Sequence, residues 1–175
     1  MSFSKLIDGI QQDFKGYSEY SKSSVKVFFK LHFYCNVLFR LSSFFYRLKL
    51  LPVARIFWLL NRVVFSIDID PGAQLRGGMV IIHGIGVVIG RHVVSIGSFR
   101  IYQGATLGGN NGKTANTIFG DISQPIIGNN VVIGINSVVI GPVIIGDRAV
   151  IGANAVVTRD VQENEKIVGS NRVLK

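Results

Sequence analysis

Two different patterns of apolar and polar positions divide this 175-residue chain. In the first third, apolar residues recur at steps of three and four. Val27, Leu31, Tyr34, Leu38, Leu41 and Phe45 form such a stripe through "SSVKVFFKLHFYCNVLFRLSSFFYRLKL", which predicts a helix. Pro52 interrupts it, and "VARIFWLLNRVVF" predicts a second, shorter helix.

Further along, the period becomes six. Ile127, Ile133, Val139, Ile145, Ile151 and Val157 fall on every sixth position, with Gly128, Gly134, Gly146 and Gly152 directly after four of them. Small or β-branched residues follow each by four: Val131, Ser137, Val143, Ala149 and Ala155. The same beat runs upstream in a shifted phase at Ile89, Ser95, Ile101 and Leu107, and in an earlier register at Ile69, Leu75, Ile81 and Val87.

A six-residue period fits neither a lone helix nor a simple hairpin. It predicts a solenoid in which each hexad forms one side of a coil and its aliphatic residue stacks inward on its equivalents. The adjacent glycines are expected to supply the backbone angles of the corners. Two breaks interrupt the beat. The phase slips between Val87 and Ile89, and "GGNNGKTANTIFGDISQP", between Leu107 and Ile127, has loop composition. Segments thrown out of a regular scaffold are where function concentrates. The expected organisation is a basic, aromatic helical segment over 1–66 and a solenoid domain over 67–175, with a loop at 108–125.

Charge sharpens the division. The net charge is +9, yet residues 1–66 hold ten Lys and Arg against three acids, and residues 67–175 hold nine against seven. Between Glu19 and Asp68 there is no acid, while eight basic residues and twelve of the eighteen aromatics fall there. That composition suits helices lying on an anionic membrane surface, and equally helices packed on the second half or on a neighbouring subunit. The longest uncharged run here, Leu31 to Phe39, is far short of the roughly 18–20 residues of a membrane span. The first twenty residues contain scattered acids and do not read as a secretory signal, so a cytoplasmic location, extending to the inner membrane face, is expected. The single Cys35 permits no internal disulfide and excludes a cysteine-built zinc site.

The segments "DIDPGAQLRGGMVIIHG", "VVIG", "YQGATLGG" followed by Lys113, and "IGANAVVTRDV" resemble the hexapeptide-repeat acyltransferases, and within them the serine acetyltransferase branch. Asp68 and His83 keep the fifteen-residue spacing between the aspartate of that branch's Asp-Ile-His-Pro opening and its catalytic histidine. The resemblance runs from about Asp68 to Val173. It implies a mainly β fold, a left-handed parallel β-helix, behind a short N-terminal helical segment. The handedness comes from the resemblance, since the usual crossover rule points the other way. The resemblance also implies acetyl-CoA as co-substrate, no metal, and a homotrimer with sites at the subunit interfaces. Gly108, Gly109 and Ala153 match positions along the coenzyme groove, and Lys113, Arg159 and Arg172 are placed to meet its phosphates.

Acyl transfer to a hydroxyl needs a base for the departing proton, donors for the oxyanion, and alignment of both substrates. His83 is the expected base, because an imidazole with a pKa of about 6.5 is largely neutral near pH 7. Asp68 is expected to orient it, and backbone N–H groups near Gly104 or Gly108 to face the oxyanion. His92 reads as a surface residue and His32 as packing or interfacial, so a three-histidine zinc site is not expected. Cys35 lies in the leader and no serine stands in a nucleophile elbow, which favours direct transfer over an acyl-enzyme.

The chain also departs from the family. Ile82 stands where enzymes acting on serine have an acid, Ser123-Gln124 where they have Arg-His, and Ile135 where they have a smaller residue. The leader is shorter than their helical domain. Without those charges a zwitterion loses charge-assisted hydrogen bonds. On sequence alone, therefore, the first expectation is O-acetylation of a sugar hydroxyl in surface-polysaccharide synthesis, on a glycan acceptor that includes lipid-linked forms, as in exopolysaccharide and colanic-acid acetyltransferases. Serine O-acetylation for cysteine biosynthesis is the alternative, and a non-catalytic solenoid scaffold is third. Nucleic acid is not an expected partner.

Overall fold

The computed structural model describes residues 3–169, which form four helices and then a left-handed parallel β-helix. The helices are α1 (Phe3–Ser21), α2 (Ser24–Val27), α3 (Leu31–Arg47) and α4 (Leu51–Phe65). The first coil comprises β1 (Asp68–Ile69), β2 (Gln74–Leu75) and β3 (Met79–Ile82). The second comprises β4 (Val88–Ile89), β5 (Val94–Ser95) and β6 (Phe99–Tyr102). The third starts with β7 (Thr106–Gly108), throws out a hairpin of β8 (Ala115–Thr117) and β9 (Gly120–Ile122), and resumes with β10 (Ile126–Ile127) and β11 (Val131–Ile133). A fourth coil, β12 (Val138–Ile140), β13 (Ile144–Ile145) and β14 (Val150–Ile151), precedes β15 (Val156–Val157) and β16 (Lys166–Ile167).

Equivalent strands of successive coils pair in parallel and build the three faces of a prism: β1-β4-β7-β12-β15, β2-β5-β10-β13, and β3-β6-β11-β14-β16. The hexad residues fill its interior. Ile89, Ile101, Leu107, Ile127, Ile133, Val139, Ile145 and Ile151 are all essentially inaccessible, as are Val131, Ser137, Val143 and Ala149 four residues after their hexad neighbours. Each such side chain buried is a gain of roughly 1.5–3 kcal/mol for the aliphatic ones.

The glycines beside the hexads serve a different purpose from the one expected. Gly134 and Gly146 do not adopt left-handed angles; those fall to Asn130, Asn136, Arg148, Asn154 and Asn164. A Cβ on Gly134 would lie 2.6 Å from the Ile151 carbonyl oxygen, and one on Gly146 would lie 2.5 Å from the Glu163 nitrogen. These glycines are there because the next coil passes too close for a side chain.

The leader is a lid on the open end of the prism. β3 pairs with β6 on one edge only, and its other edge would present bare N–H and C=O groups. Helix side chains occupy that edge. The Tyr17 hydroxyl accepts from Ile81 N at 3.0 Å and donates to Ile81 O at 3.2 Å. Asn36 Nδ2 donates to Met79 O at 2.7 Å, and Asp13 Oδ1 accepts from Gly78 N at 2.8 Å and Met79 N at 3.1 Å. Arg40 holds Asp13 at 2.9 Å and donates to the carbonyls of Leu75 and Arg76. Burial pushes the Tyr17 hydroxyl well above the usual tyrosine range, so it stays protonated.

This clasp revises the expected helical stripe. Leu31 and Tyr34 are exposed, and the face of α3 that is buried carries Phe33, Cys35, Asn36, Phe39, Arg40, Ser42 and Ser43. The single long helix expected from residue 23 is broken at Phe28–Lys30, where α2 ends. α4 buries only Ala54 and Asn61 and leaves Ile56, Leu59, Leu60 and Val63 exposed on one stripe.

Candidate active site

His83 owes its position to an insertion. Outside the excursion between Leu107 and Ile127, inward residues from Ile69 to Val157 follow one another every sixth position, but Ile81 and Ile89 are eight apart. In later coils two residues, such as Gln103 and Gly104, lead from the strand to the small corner residue Ala105; here four residues, His83 to Gly86, lead from Ile82 to Val87. The slip therefore belongs to the corner before Val87, not to the step after it. The later coils have one left-handed residue at this corner, Gly104, Asn136 or Asn154, whereas the enlarged corner has two, His83 at φ +56° and Gly86 at +76°. A histidine held in that region stores strain of about 1 kcal/mol or more, and the bulge leaves its imidazole exposed.

Gly84 makes the bulge possible. A Cβ there would sit 2.5 Å from Ile67 Cδ1, 2.6 Å from Ile81 Cγ2 and 2.9 Å from His32 Cδ2. That last contact shows what the sequence did not: His32, at the start of α3, packs against the peptide that follows His83. Burial, and then the proximity of His83 and of Lys30, hold the half-buried His32 imidazole below its ordinary pKa. The histidine assigned to packing thus stands beside the one assigned to chemistry. Its signal in sequence was absent, because 50 intervening residues separate the two.

Asp68 begins β1 on the face reached after the same corner, where Gly86 N donates to Ser66 O and Asp68 N to Val87 O. Its carboxylate is engaged by α4. Trp58 Nε1 donates to Oδ1 at 2.8 Å, and Arg62 lies 3.7 Å from Oδ2. The guanidinium groups of Arg55 and Arg62 stack over the Trp58 ring at 4.9 and 4.8 Å. The structure brings Asp68 and His83 to one corner but shows no hydrogen bond between them; among the described residues the His83 ring has no hydrogen-bond partner.

Gln103 occupies the next coil at the register position after Tyr102, which pairs with Ile82. Its Oε1 is buried without a partner among the described residues, an arrangement that costs about 1–3 kcal/mol unless something arrives to donate to it. It lies within the "YQGATLGG" segment, yet nothing in that string distinguishes it from a turn residue.

The remaining predicted positions are spread along the prism. Ala153 is exposed on the corner column that His83 begins, three coils away. Gly108 pairs with Ile140, and a Cβ there would meet no atom within 4 Å. Gly109 lies beside Gln124. Lys113 and Arg159 are exposed; Arg172 lies outside the described residues. Ile135, at the neighbouring place on the same corner as Ala153, is 38% exposed. Ile82 is only 6% exposed and packs with Tyr17, Phe33 and Val80, so this position has been given over to seating the helices. Gln124 accepts from His92 N at 3.0 Å and serves the scaffold. Cys35 is buried with its thiol pushed up to about 12, consistent with no nucleophilic part.

Comparison with known proteins bears on this geometry. Residues 124–159 match the family described as bacterial transferase hexapeptide (six repeats). The serine acetyltransferase of Helicobacter pylori is 39% identical over 132 residues, 75% of this chain and 74% of that protein. That of Synechococcus elongatus is 36% identical over 137 residues, 78% of this chain but 54% of the relative, so the chain spans about half of that protein's length. Among solved structures, Neisseria gonorrhoeae serine acetyltransferase in complex with serine superposes with a TM-score of 0.83 at 28% identity, covering 95% of this chain and 68% of that one.

These matches overturn the expectation of a surface-polysaccharide enzyme of the exopolysaccharide type. The leader, expected to set the chain apart, superposes along with the coils. The missing charges were weighed too heavily: Ile82 packs with Tyr17 and Phe33, and Gln124 accepts from the His92 backbone. The chain belongs to the serine acetyltransferase family.

Proposed function

We propose that this chain is an acetyl-CoA-dependent serine O-acetyltransferase of cysteine biosynthesis, with His83 as general base. The observation that carries the reading is the 39% identity with a serine acetyltransferase across three quarters of both chains, together with the strained corner that presents His83.

In this reading His83 takes the proton from the serine hydroxyl as its oxygen attacks the thioester carbonyl. The C–S bond then breaks, and the imidazolium returns the proton to the departing sulfur. Asp68 stabilises the imidazolium: Oδ2, held only by the long contact with Arg62, is the oxygen available to it, while Trp58 fixes Oδ1. His32 and the orphaned Gln103 oxygen are the polar groups offered to the amino acid. The neutral half-buried His32 fits a site that must not repel an ammonium group.

The acetyl donor lies along the His83 corner. Adjacent coils are about 4.8 Å apart, so Ala153 is roughly 14 Å from the His83 level, a span suited to an extended pantetheine arm. Gly108 and Gly109 leave room beside it, and Lys113, Arg159 and Arg172 meet phosphates. The unpartnered α4 stripe and the exposed Ile85 next to His83 support assembly as a homotrimer that closes the site.

The test is coenzyme A release from acetyl-CoA with L-serine as acceptor. Turnover with L-serine, lowered by about 10²- to 10⁴-fold in His83→Ala, is expected. A folded chain that binds acetyl-CoA and leaves L-serine unacetylated overturns the reading.

A further inference from the structure

We propose that the corner between α1 and α3 is a docking surface for an anionic lipid bilayer. Within ten residues it places Lys22, Lys26 and Lys30 among Val25, Phe28 and Phe29, which are 68, 59 and 82% exposed. A soluble surface rarely spends two adjacent phenylalanines on water in this way.

The corner is built to keep them outward. Val27 is fully buried and anchors α2, while Ser23 caps the helix by accepting from Lys26 N at 3.5 Å. The Tyr34 hydroxyl donates to Phe28 O at 2.9 Å, and the Phe28 ring leans on Phe14 with centroids 5.6 Å apart. Rings held by a fixed backbone lose little freedom on insertion, which favours binding.

Charge selects the occupant. No acid occurs between Glu19 and Asp68, and Glu19 is itself 3.9 Å from Lys15. A two-fold contact with a second copy would set three lysines against three. A bilayer rich in anionic headgroups accepts both components at once: the aromatic side chains enter the interface and the ammonium groups meet phosphates and carboxylates. Either component alone is weak, so the binding depends on both. The surface stands independently of the acetyl-transfer reading, and its test does not use activity.

The full chain is sedimented with phosphatidylcholine vesicles, with and without about 30% phosphatidylserine. Expected is lipid-bound protein with the anionic vesicles only, reduced about tenfold when salt is raised from ~0.1 to ~0.5 M. Phe29→Ser, and separately the combined Lys22→Gln, Lys26→Gln and Lys30→Gln substitutions, each lower the bound fraction by about tenfold at an unchanged thermal midpoint. Equal sedimentation with neutral vesicles, no sedimentation at all, or binding that survives both variants overturns the proposal. So does concentration-dependent self-association in the absence of lipid that Phe29→Ser abolishes, which assigns the surface to a second copy.

Discussion

The two halves of this molecule bury opposite kinds of group. Inside the prism the buried polar side chains are Ser95 and Ser137, in a column of aliphatic residues. In the leader they are Asp13, Asn36, Arg40, Ser42, Ser43 and Asn61. The coils cohere by repetition, each satisfying the backbone of the next. The leader meets an unrepeated strand edge, and must offer a specific donor or acceptor to each group there. The difference teaches that a solenoid's end costs more sequence information than its middle, and the His83 corner sits on that seam.

Several substitutions bear on this contrast. At the seam, His83→Ala should lower acetyl transfer by about 10²- to 10⁴-fold while leaving the thermal midpoint nearly unchanged, since the imidazole is exposed and alanine keeps a Cβ at the same positive φ. A midpoint that collapses instead would make the corner structural. In the leader, Asp13→Ala strands Arg40 without its partner and should cost about 3–5 kcal/mol, read by denaturant unfolding, with helical signal lost before the coils melt. Adding Arg40→Met should restore much of it; no restoration would mean that the carbonyl contacts of Arg40, not the ion pair, hold the lid. In the coils, Ile133→Ala should cost about 2–5 kcal/mol in one cooperative transition, because a cavity in the column weakens coils on both sides.

A smaller effect separates His32 from its surroundings. Its folded pKa lies below the ordinary value near 6.5, so the unfolded chain binds the proton more readily. Stability is then complete above about pH 6.5 and declines as pH falls through the folded value. His32→Phe should flatten that decline in a series of thermal midpoints, and an unaltered slope would place the titrating group elsewhere. Tyr17→Phe removes the paired bonds to Ile81 and should cost about 1–3 kcal/mol, with a visible loss of amide protection at Ile81.

The repeating half was legible from sequence because its physics is periodic: Ile127 to Val157 announce their own burial at every sixth position. That His83 and Asp68 share one corner was legible through their spacing beside "DIDPG", whereas the engagement of Asp68 by Trp58 and Arg62 was not. The leader was not, because the buried face of α3 includes Asn36 and Arg40, which a hydrophobicity pattern scores as solvent-facing. Their partners at the end of the prism explain them, Met79 O for Asn36 and the Leu75 and Arg76 carbonyls with Asp13 for Arg40, and that end does not exist until the first coil has formed. His32 and Gln103 were hidden for the same reason: each is ordinary in its own segment and becomes notable through a neighbour distant in sequence or one coil away. The acceptor was misjudged because Ile82 and Gln124 were read as lost ligands, when each had acquired a packing or scaffold partner.

The enlarged corner at His83 has one more consequence. Its two extra residues lie between strands, and pairing resumes at once beyond them, Val88 opposite Asp68 and Ile89 opposite Ile69. The facing of each later coil is therefore set by its neighbour and not by the length of the bend. Novelty at such a bend is insulated from the architecture behind it.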